Sequence, residues 1–255
     1  MESKAVEIGK GAADGGEGRL RAVDGETGKD IAAGGVGAKG ASGGAEAKDA
    51  AVGGAAERAS ACGGEKSVLM VVGSLRARSL NRQLAECAAA VLSGCVRVSF
   101  LEYADLPYMN QDVEVPVLEP VQRVRDAVEA ADGLWIVTPE YNHGLPGVLK
   151  NLLDWLSRPA YADGTSVMHG KPVTYSGAAG SSQARYAFAS LWTTLDFMGA
   201  DVVDVMPTGI LLDRRAYSTD RLVLAERDRE SLELQANLLL MHMGVPRPLI
   251  CRSIT

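Results

Sequence analysis

From Lys66 onward, short runs of apolar, mostly β-branched residues alternate with stretches in which apolar residues recur at helical spacing. We predict five strands (68–72, 96–101, 134–138, 173–176 and 201–205) and five helices (79–92, 119–131, 147–156, 182–198 and 220–243). A strand followed each time by a helix is typical of a parallel sheet covered on both faces. The first, third and fourth strands are almost entirely apolar, as strands buried on both faces are. The chain is therefore predicted to form an α/β, doubly wound, five-stranded parallel sheet.

Residues 1–65 have a different composition. They hold 17 of the 29 glycines and none of the Trp, Tyr or Phe residues. A segment of this kind cannot bury enough apolar surface to offset the entropy that it would lose on ordering. We predict a disordered Gly/Ala-rich tail over residues 1–65 and one domain over residues 66–255, whose roughly 190 residues suffice for a single core.

Charge and cysteine content narrow the function classes. The net charge of −6 disfavours nucleic-acid binding, and no apolar run approaches the roughly 20 residues of a membrane span. The sequence opens without the hydrophobic core of a signal peptide. Its four cysteines could pair in an oxidising compartment, but they show no C-x-x-C spacing and fit free thiols in a cytoplasmic protein better. No His or Cys spacing predicts a metal site.

The turn after the first predicted strand is rich in hydrogen-bond donors. Its sequence, Gly73-Ser74-Leu75-Arg76-Ala77-Arg78-Ser79-Leu80-Asn81, lacks the glycines that let a backbone approach a pyrophosphate. Hydroxyls, an amide and a guanidinium instead surround a helix N-terminus, which itself favours an anion. Because ligands of such sheets bind beyond the carboxyl ends of the strands, we predict that Ser74, Arg76, Ser79 and Asn81 hold a terminal phosphate. The alternative is that Ser79 is an ordinary N-cap and the arginines are solvated.

Two stretches of the sequence carry a resemblance to a known family. The turn contains S-x-R-x-x-S-x-N, and the residues from Pro139 to Trp155 contain P-E-Y-N-x-x-x-P-x-x-L-K-N-x-x-D-W. Both patterns resemble those of the NAD(P)H-dependent FMN reductases, and the resemblance spans about residues 68–206. It implies a flavodoxin-like fold with strand order 2-1-3-4-5 and FMN at the point where the strand order reverses.

The resemblance also implies a role for each loop. Pro139, Glu140, Tyr141 and Asn142 are expected to lie against the flavin ring, in a loop stiffened by proline. Ser176, Gly177 and Gly180 are expected in a small-residue loop after the fourth strand, whose backbone N–H groups reach the polar edge of the ring. NADPH or NADH would be the electron donor, and the acceptor a small molecule such as a quinone, azo compound, metal oxyanion or free flavin. A homodimer or homotetramer is expected.

No side chain is assigned as a catalytic acid or base, because the sequence shows no Ser/His/Asp or Cys/His constellation. His143 is expected to be a solvated loop residue, Lys150 and Asp154 a pair on one helix, and Trp155 a core or subunit-contact residue. Two alternative functions stay open. One is a flavodoxin-type electron carrier without nicotinamide turnover, and the other is a flavin-binding regulatory protein whose tail recruits partners.

Overall fold

The computed structural model describes residues 66–245, in which strands and helices alternate as far as β5. The strands are β1 (Ser67–Val72), β2 (Arg97–Phe100), β3 (Gly133–Val137), β4 (Pro172–Ala179), β5 (Asp201–Val202) and β6 (Thr208–Leu211). The helices are α1 (Leu80–Leu92), α2 (Glu119–Ala130), α3 (Gly147–Leu156), α4 (Arg185–Phe197), α5 (Arg214–Thr219) and α6 (Glu226–His242), with a 3-10 turn at Gln111–Val113. The predicted tail, residues 1–65, lies outside the described residues, as do residues 246–255. No helix within residues 66–245 is both long and apolar enough to cross a membrane.

The strands pair in parallel in the order β2-β1-β3-β4-β5, and β6 also pairs with β4. Val173 of β4 pairs with β3 on one edge and with Val202 of β5 on the other. Ser176 likewise pairs with β3 on one edge and with Thr208 of β6 on the other. Strands β5 and β6 therefore follow one another along the same edge of β4 and together fill the fifth position. The predicted flavodoxin-like order 2-1-3-4-5 is confirmed.

The fifth strand is interrupted, whereas the sequence predicted a continuous strand over 201–205. It ends at Val202, and the N–H of Val205 then donates back to the carbonyl of Val203 (2.9 Å) in a tight turn. Pro207 has no N–H to offer a ladder, so pairing resumes only at β6. No strand was predicted at the position of β6.

Two other predicted boundaries are wrong. The fourth strand was predicted to end at residue 176, but it continues to Ala179 because β6 pairs with its last four residues. The last predicted helix, 220–243, is divided into α5 and α6. Asp220, with φ of 52°, ends α5 in the left-handed conformation, which breaks the helix.

Neighbouring residues of each central strand pack on opposite faces of the sheet. Leu134 and Ile136 of β3 belong to the core beneath α2, α3 and α4, and Trp135 and Val137 belong to the core beneath α1 and α6. All residues of β1 and β3 are buried, which confirms the prediction for these strands. Because β1, β3 and β4 are parallel, the loops that follow their carboxyl ends gather at one edge of the sheet.

Candidate functional site

The loops at this edge enclose a small cleft of about 120 Å³. Eight of the eleven predicted site residues line it: Ser74, Arg76, Ser79, Asn81, Pro139, Glu140, Tyr141 and Gly180. A second cavity of about 340 Å³ shares Ser74 and Arg76 with the cleft and extends toward the residues after β2. Asn142, Ser176 and Gly177 are absent from the lining of the cleft. The structure therefore brings together residues from three separate loops.

The turn after β1 leads directly into α1. Ser79 is the N-cap of this helix, and its hydroxyl oxygen accepts a hydrogen bond from the N–H of Arg82 (3.1 Å). The hydroxyl of Ser74 accepts from the N–H of Arg76 (3.5 Å). The N-cap alternative for Ser79 is thus confirmed, and it is compatible with anion binding, because a hydroxyl that accepts one bond keeps its proton to donate. The donors at this helix N-terminus fit a phosphate.

The arginines of the turn face an acidic residue. Arg76 forms an ion pair with Asp220, whose carboxylate also lies 3.9 Å from the guanidinium of Arg78. The alternative of purely solvated arginines is therefore wrong for Arg76. Sequence reasoning missed Asp220, because it placed this residue at the start of a predicted helix over 220–243, far from the turn in sequence. Its contact with Arg76 spans 144 residues of sequence.

Asn81 is buried, and its amide is bonded to the backbone of β4. Its side-chain nitrogen donates to the carbonyl of Ala178 (2.9 Å), and its oxygen accepts from the N–H of Ala178 (2.8 Å). Strand β3 ends just before this point, and its last contact is the N–H of Thr138 to the carbonyl of Ser176 (2.9 Å). The backbone N–H and C=O groups of alternate residues in a strand point to the same neighbouring strand. Without Asn81, those of Ala178 would have no partner, because β3 has already ended. Asn81 takes the place of the missing strand residue.

The loop after β3 folds into a tight turn. Tyr141 and Gly144 exchange two backbone hydrogen bonds (3.1 and 3.0 Å), and Asn142 and His143 between them have φ of 51° and 59°. Positive φ at both central positions is the type I′ geometry, which Asn and His tolerate better than most residues. The ring of His143 stacks on Tyr186 at 4.4 Å. Asn142 therefore shapes the loop.

Glu140 connects this loop to α4. Its carboxylate accepts hydrogen bonds from the N–H groups of Tyr186 (2.9 Å) and Ala187 (3.3 Å), while the helix has no side-chain cap of its own. Partial burial opposes ionisation of Glu140. Hydrogen bonds from Ser182 and from the two helix N–H groups outweigh it, so the pKa lies below its ordinary value. Glu140 is thus a helix cap at the wall of the cleft.

Ser176 and Gly177 belong to β4, so their predicted place in a loop is wrong. The hydroxyl of Ser176 is fully buried and accepts a hydrogen bond from the indole N–H of Trp135 (2.8 Å). A Cβ on Gly177 would lie 2.3 Å from the carbonyl oxygen of Thr138. Glycine is required at this position by the close approach of the neighbouring backbone. The loop proper begins at Gly180, where a Cβ would meet nothing nearer than 3.8 Å.

The second half of the longer motif holds the loop that follows β2. The amide of Asn151 donates to the carbonyl of Pro107 (2.9 Å) and accepts from the N–H of Met109 (2.7 Å). The indole N–H of Trp155 also donates to Pro107 (2.8 Å), and Trp155 is buried, which confirms its core placement. Lys150 and Asp154 form the expected ion pair on α3.

Known proteins are similar to this chain in sequence and in structure. The pattern of the NADPH-dependent FMN reductase family matches residues 67–206. The chain is 45% identical over 105 residues to a 2-hydroxy-1,4-benzoquinone reductase of a Burkholderia species, a match that covers 41% of this chain and 56% of that protein. It is 31% identical over 177 residues to an NAD(P)H-dependent FMN reductase of Pseudomonas aeruginosa, covering 68% and 92% of the two chains. A solved flavoenzyme, an NAD(P)H:(acceptor) oxidoreductase of Paracoccus denitrificans, superposes with a TM-score of 0.62 and 30% identity over 70% of this chain and 97% of that chain.

The chain belongs to the NADPH-dependent FMN reductase family. The resemblance drawn from the two motifs is confirmed, and so is the class of protein that it implied, an oxidoreductase that works with FMN and a nicotinamide donor. The matched range ends at residue 206. Strand β6, helices α5 and α6, and Asp220 lie beyond it.

Proposed function

We propose that this protein passes electrons from NADPH or NADH to a small-molecule acceptor, foremost a quinone, through FMN bound in the cleft. The observation that carries the proposal is the convergence of eight predicted residues from three strand ends on one cleft. The quinone is favoured because a relative at 45% identity is named as a benzoquinone reductase. Azo compounds, metal oxyanions and free flavin are further candidate acceptors. FMN, when bound, would supply the redox chemistry.

The residues of the cleft would place the cofactor. We assign the phosphate to Ser74, Arg76 and Ser79 at the N-terminus of α1, and the ring to the loop from Pro139 to Tyr141. Gly180 would face the polar edge of the ring, since nothing obstructs a close approach there. Asn81 would act by positioning β4, because its amide is already bonded to Ala178.

The three predicted residues that do not line the cleft would hold the strands and the loop that form it. Ser176 and Gly177 would fix β4 against β3, and Asn142 would set the turn of the ring loop. We assign no acid or base, because the described residues at the cleft offer no nucleophile–base pair. His143 is engaged in ring stacking with Tyr186.

Steady-state kinetics of the FMN-loaded protein test the proposal. One exposed face of a ring admits the nicotinamide and the acceptor only in turn, so double-reciprocal plots against NADPH at several fixed quinone concentrations should be parallel. NADPH alone, without oxygen, should bleach the flavin absorbance. Intersecting lines would indicate separate sites and a ternary complex. A flavin that neither NADPH nor NADH bleaches would favour the electron carrier or the regulatory protein.

Substitution of Arg76 tests the phosphate assignment. Arg76→Ala should weaken FMN binding by about 1.5–3 kcal/mol, the range for a charge-assisted hydrogen bond. Riboflavin lacks the phosphate and should bind the variant as it binds the wild type. Equal losses for both ligands would mean that Arg76 supports the fold.

We also infer a cytoplasmic homo-oligomer, either a dimer or a tetramer. The oligomer is supported by large apolar side chains that are almost fully exposed in the single chain, among them Tyr108 (89%), Val115 (87%) and Phe197 (88%). Apolar surface of this kind often marks an interface. Light scattering coupled to size-exclusion chromatography measures the mass directly, and a monomer at micromolar concentration would contradict the inference.

A further inference from the structure

The ion pair between Arg76 and Asp220 places a carboxylate at the phosphate turn. Asp220 is the more buried partner, with 21% of its side chain exposed against 53% for Arg76. Arg78 is 81% exposed and lies 3.9 Å from the same carboxylate. The cation that we assign to the phosphate of FMN thus already has an anionic partner within the protein.

Asp220 is held in place by α1 itself. Its carbonyl accepts a hydrogen bond from the side-chain amide of Gln83 (2.9 Å), and the oxygen of that amide accepts from the N–H of Leu222 (2.9 Å). Gln83 therefore clamps the backbone on both sides of Arg221. Asp220 stays beside the turn whether or not its carboxylate is paired with Arg76. The residue lies beyond the range 67–206 that the family pattern matches, and its ion pair with Arg76 joins the segment after α5 to the turn after β1.

We propose that Asp220 determines the affinity of the site for the phosphate group, because its carboxylate is the counter-ion of Arg76 and competes with the phosphate for that guanidinium. The inference rests on the proposed function, in which Arg76 binds FMN. In the ligand-free protein the carboxylate satisfies Arg76. When FMN binds, the phosphate takes over this role.

Two effects of Asp220 on FMN binding oppose each other. By holding the side chain of Arg76 in one rotamer, Asp220 raises the affinity for FMN by about tenfold at most. Against this, a carboxylate and a phosphate that share one guanidinium repel each other, and the repulsion is large because the phosphate carries nearly two negative charges at neutral pH. A guanidinium has five N–H donors, so Arg76 does not need Asp220 to fill its hydrogen bonds once the phosphate is present. Repulsion outweighs positioning, and loss of the carboxylate should tighten FMN binding.

The test is the equilibrium binding of FMN and riboflavin to the full-length apoprotein, followed by quenching of flavin fluorescence. Asp220→Asn removes the charge and keeps the shape, and Asn tolerates the left-handed backbone at this position. Asp220→Gly removes the carboxylate with a residue that also suits positive φ, and it serves if the first variant folds poorly. Asp196→Asn, in the last turn of α4 at the far end of the helix from the cleft, is the control for net charge.

Asp220→Asn should lower the Kd for FMN about three- to tenfold and leave the Kd for riboflavin unchanged, and Asp196→Asn should change neither. A weaker FMN complex would show that Asp220 positions Arg76 and would overturn the proposal. Unchanged FMN binding, or equal changes for both ligands, would overturn it as well. Arg76→Ala separates these failures from a failure of the proposed function. If that variant keeps the wild-type preference for FMN over riboflavin, the phosphate is not bound at Arg76 at all.

Discussion

Asn81 offers a sharp test of how this site is built, because its amide is bonded to the protein and not left free for a ligand. Asn81→Ala removes two hydrogen bonds to Ala178, of 2.9 and 2.8 Å. Each bond contributes about 0.5–1.5 kcal/mol, and each backbone group left buried without a partner costs about 1–3 kcal/mol. Water from the adjoining cleft can reach part of the gap. We therefore expect the free energy of unfolding to fall by about 2–4 kcal/mol.

Urea unfolding of the apoprotein, followed by the fluorescence of the buried Trp135 and Trp155, measures this loss. If the free energy of unfolding falls by about 2 kcal/mol per M of urea, the urea concentration at the unfolding midpoint should decrease by about 1–2 M. Asn151→Ala is the matched control, since it also removes two hydrogen bonds but at a half-buried position where water replaces them. Asn151→Ala should lower the free energy of unfolding by about 1 kcal/mol.

The comparison between the two asparagines decides the argument. If Asn81→Ala costs no more than Asn151→Ala, then the amide of Asn81 is not completing the edge of β4. If stability is unchanged and only FMN affinity falls, the amide serves the ligand directly, as the sequence motif alone suggested. Asn81→Asp should cost at least as much as Asn81→Ala at neutral pH, because it keeps an acceptor for the N–H of Ala178 but sets a buried carboxylate oxygen against the carbonyl of Ala178.

Three further predictions follow from the same geometry and from composition. Glu140→Gln should lower the unfolding free energy by about 0.5–2 kcal/mol at pH 7. Because the pKa of Glu140 is lowered on folding, its charge stabilises the protein above the unfolded pKa, and the difference from Glu140→Gln should vanish as the pH falls through the folded pKa in thermal melts. Gly177→Ala should destabilise the protein by at least about 2 kcal/mol, measured by denaturant titration. Gly180→Ala should fold normally but lose FMN affinity, measured by flavin titration. Deletion of residues 1–63 should leave a soluble protein that binds FMN, and insolubility or loss of flavin would contradict this.

The sequence alone was sufficient for the parallel sheet, for the order of elements as far as α4 and for the three loops of the cleft. Apolar periodicity is a local property, and it distinguished the buried strands β1 and β3 from the helices between them. The N-cap of α1 at Ser79 was likewise visible in a few neighbouring residues. The two motifs placed the functional loops because each motif begins in the connection after a strand and continues into the next helix, so neighbouring residues identify both the loop and the helix that follows it.

Only the tertiary structure decided what the polar side chains of the cleft bond to. The partner of Asn81 is 97 residues away, that of Glu140 is 46 residues away, and that of Arg76 is 144 residues away. The partners are a strand edge where β3 departs, the first N–H groups of α4, and the carboxylate of Asp220 at the end of α5. Which backbone groups lack partners depends on where strands end and how helices are placed, and no pattern of neighbouring residues encodes that. The sequence therefore predicted eight of the residues that meet at the cleft, and the fold determined which of them remain free to bind a ligand.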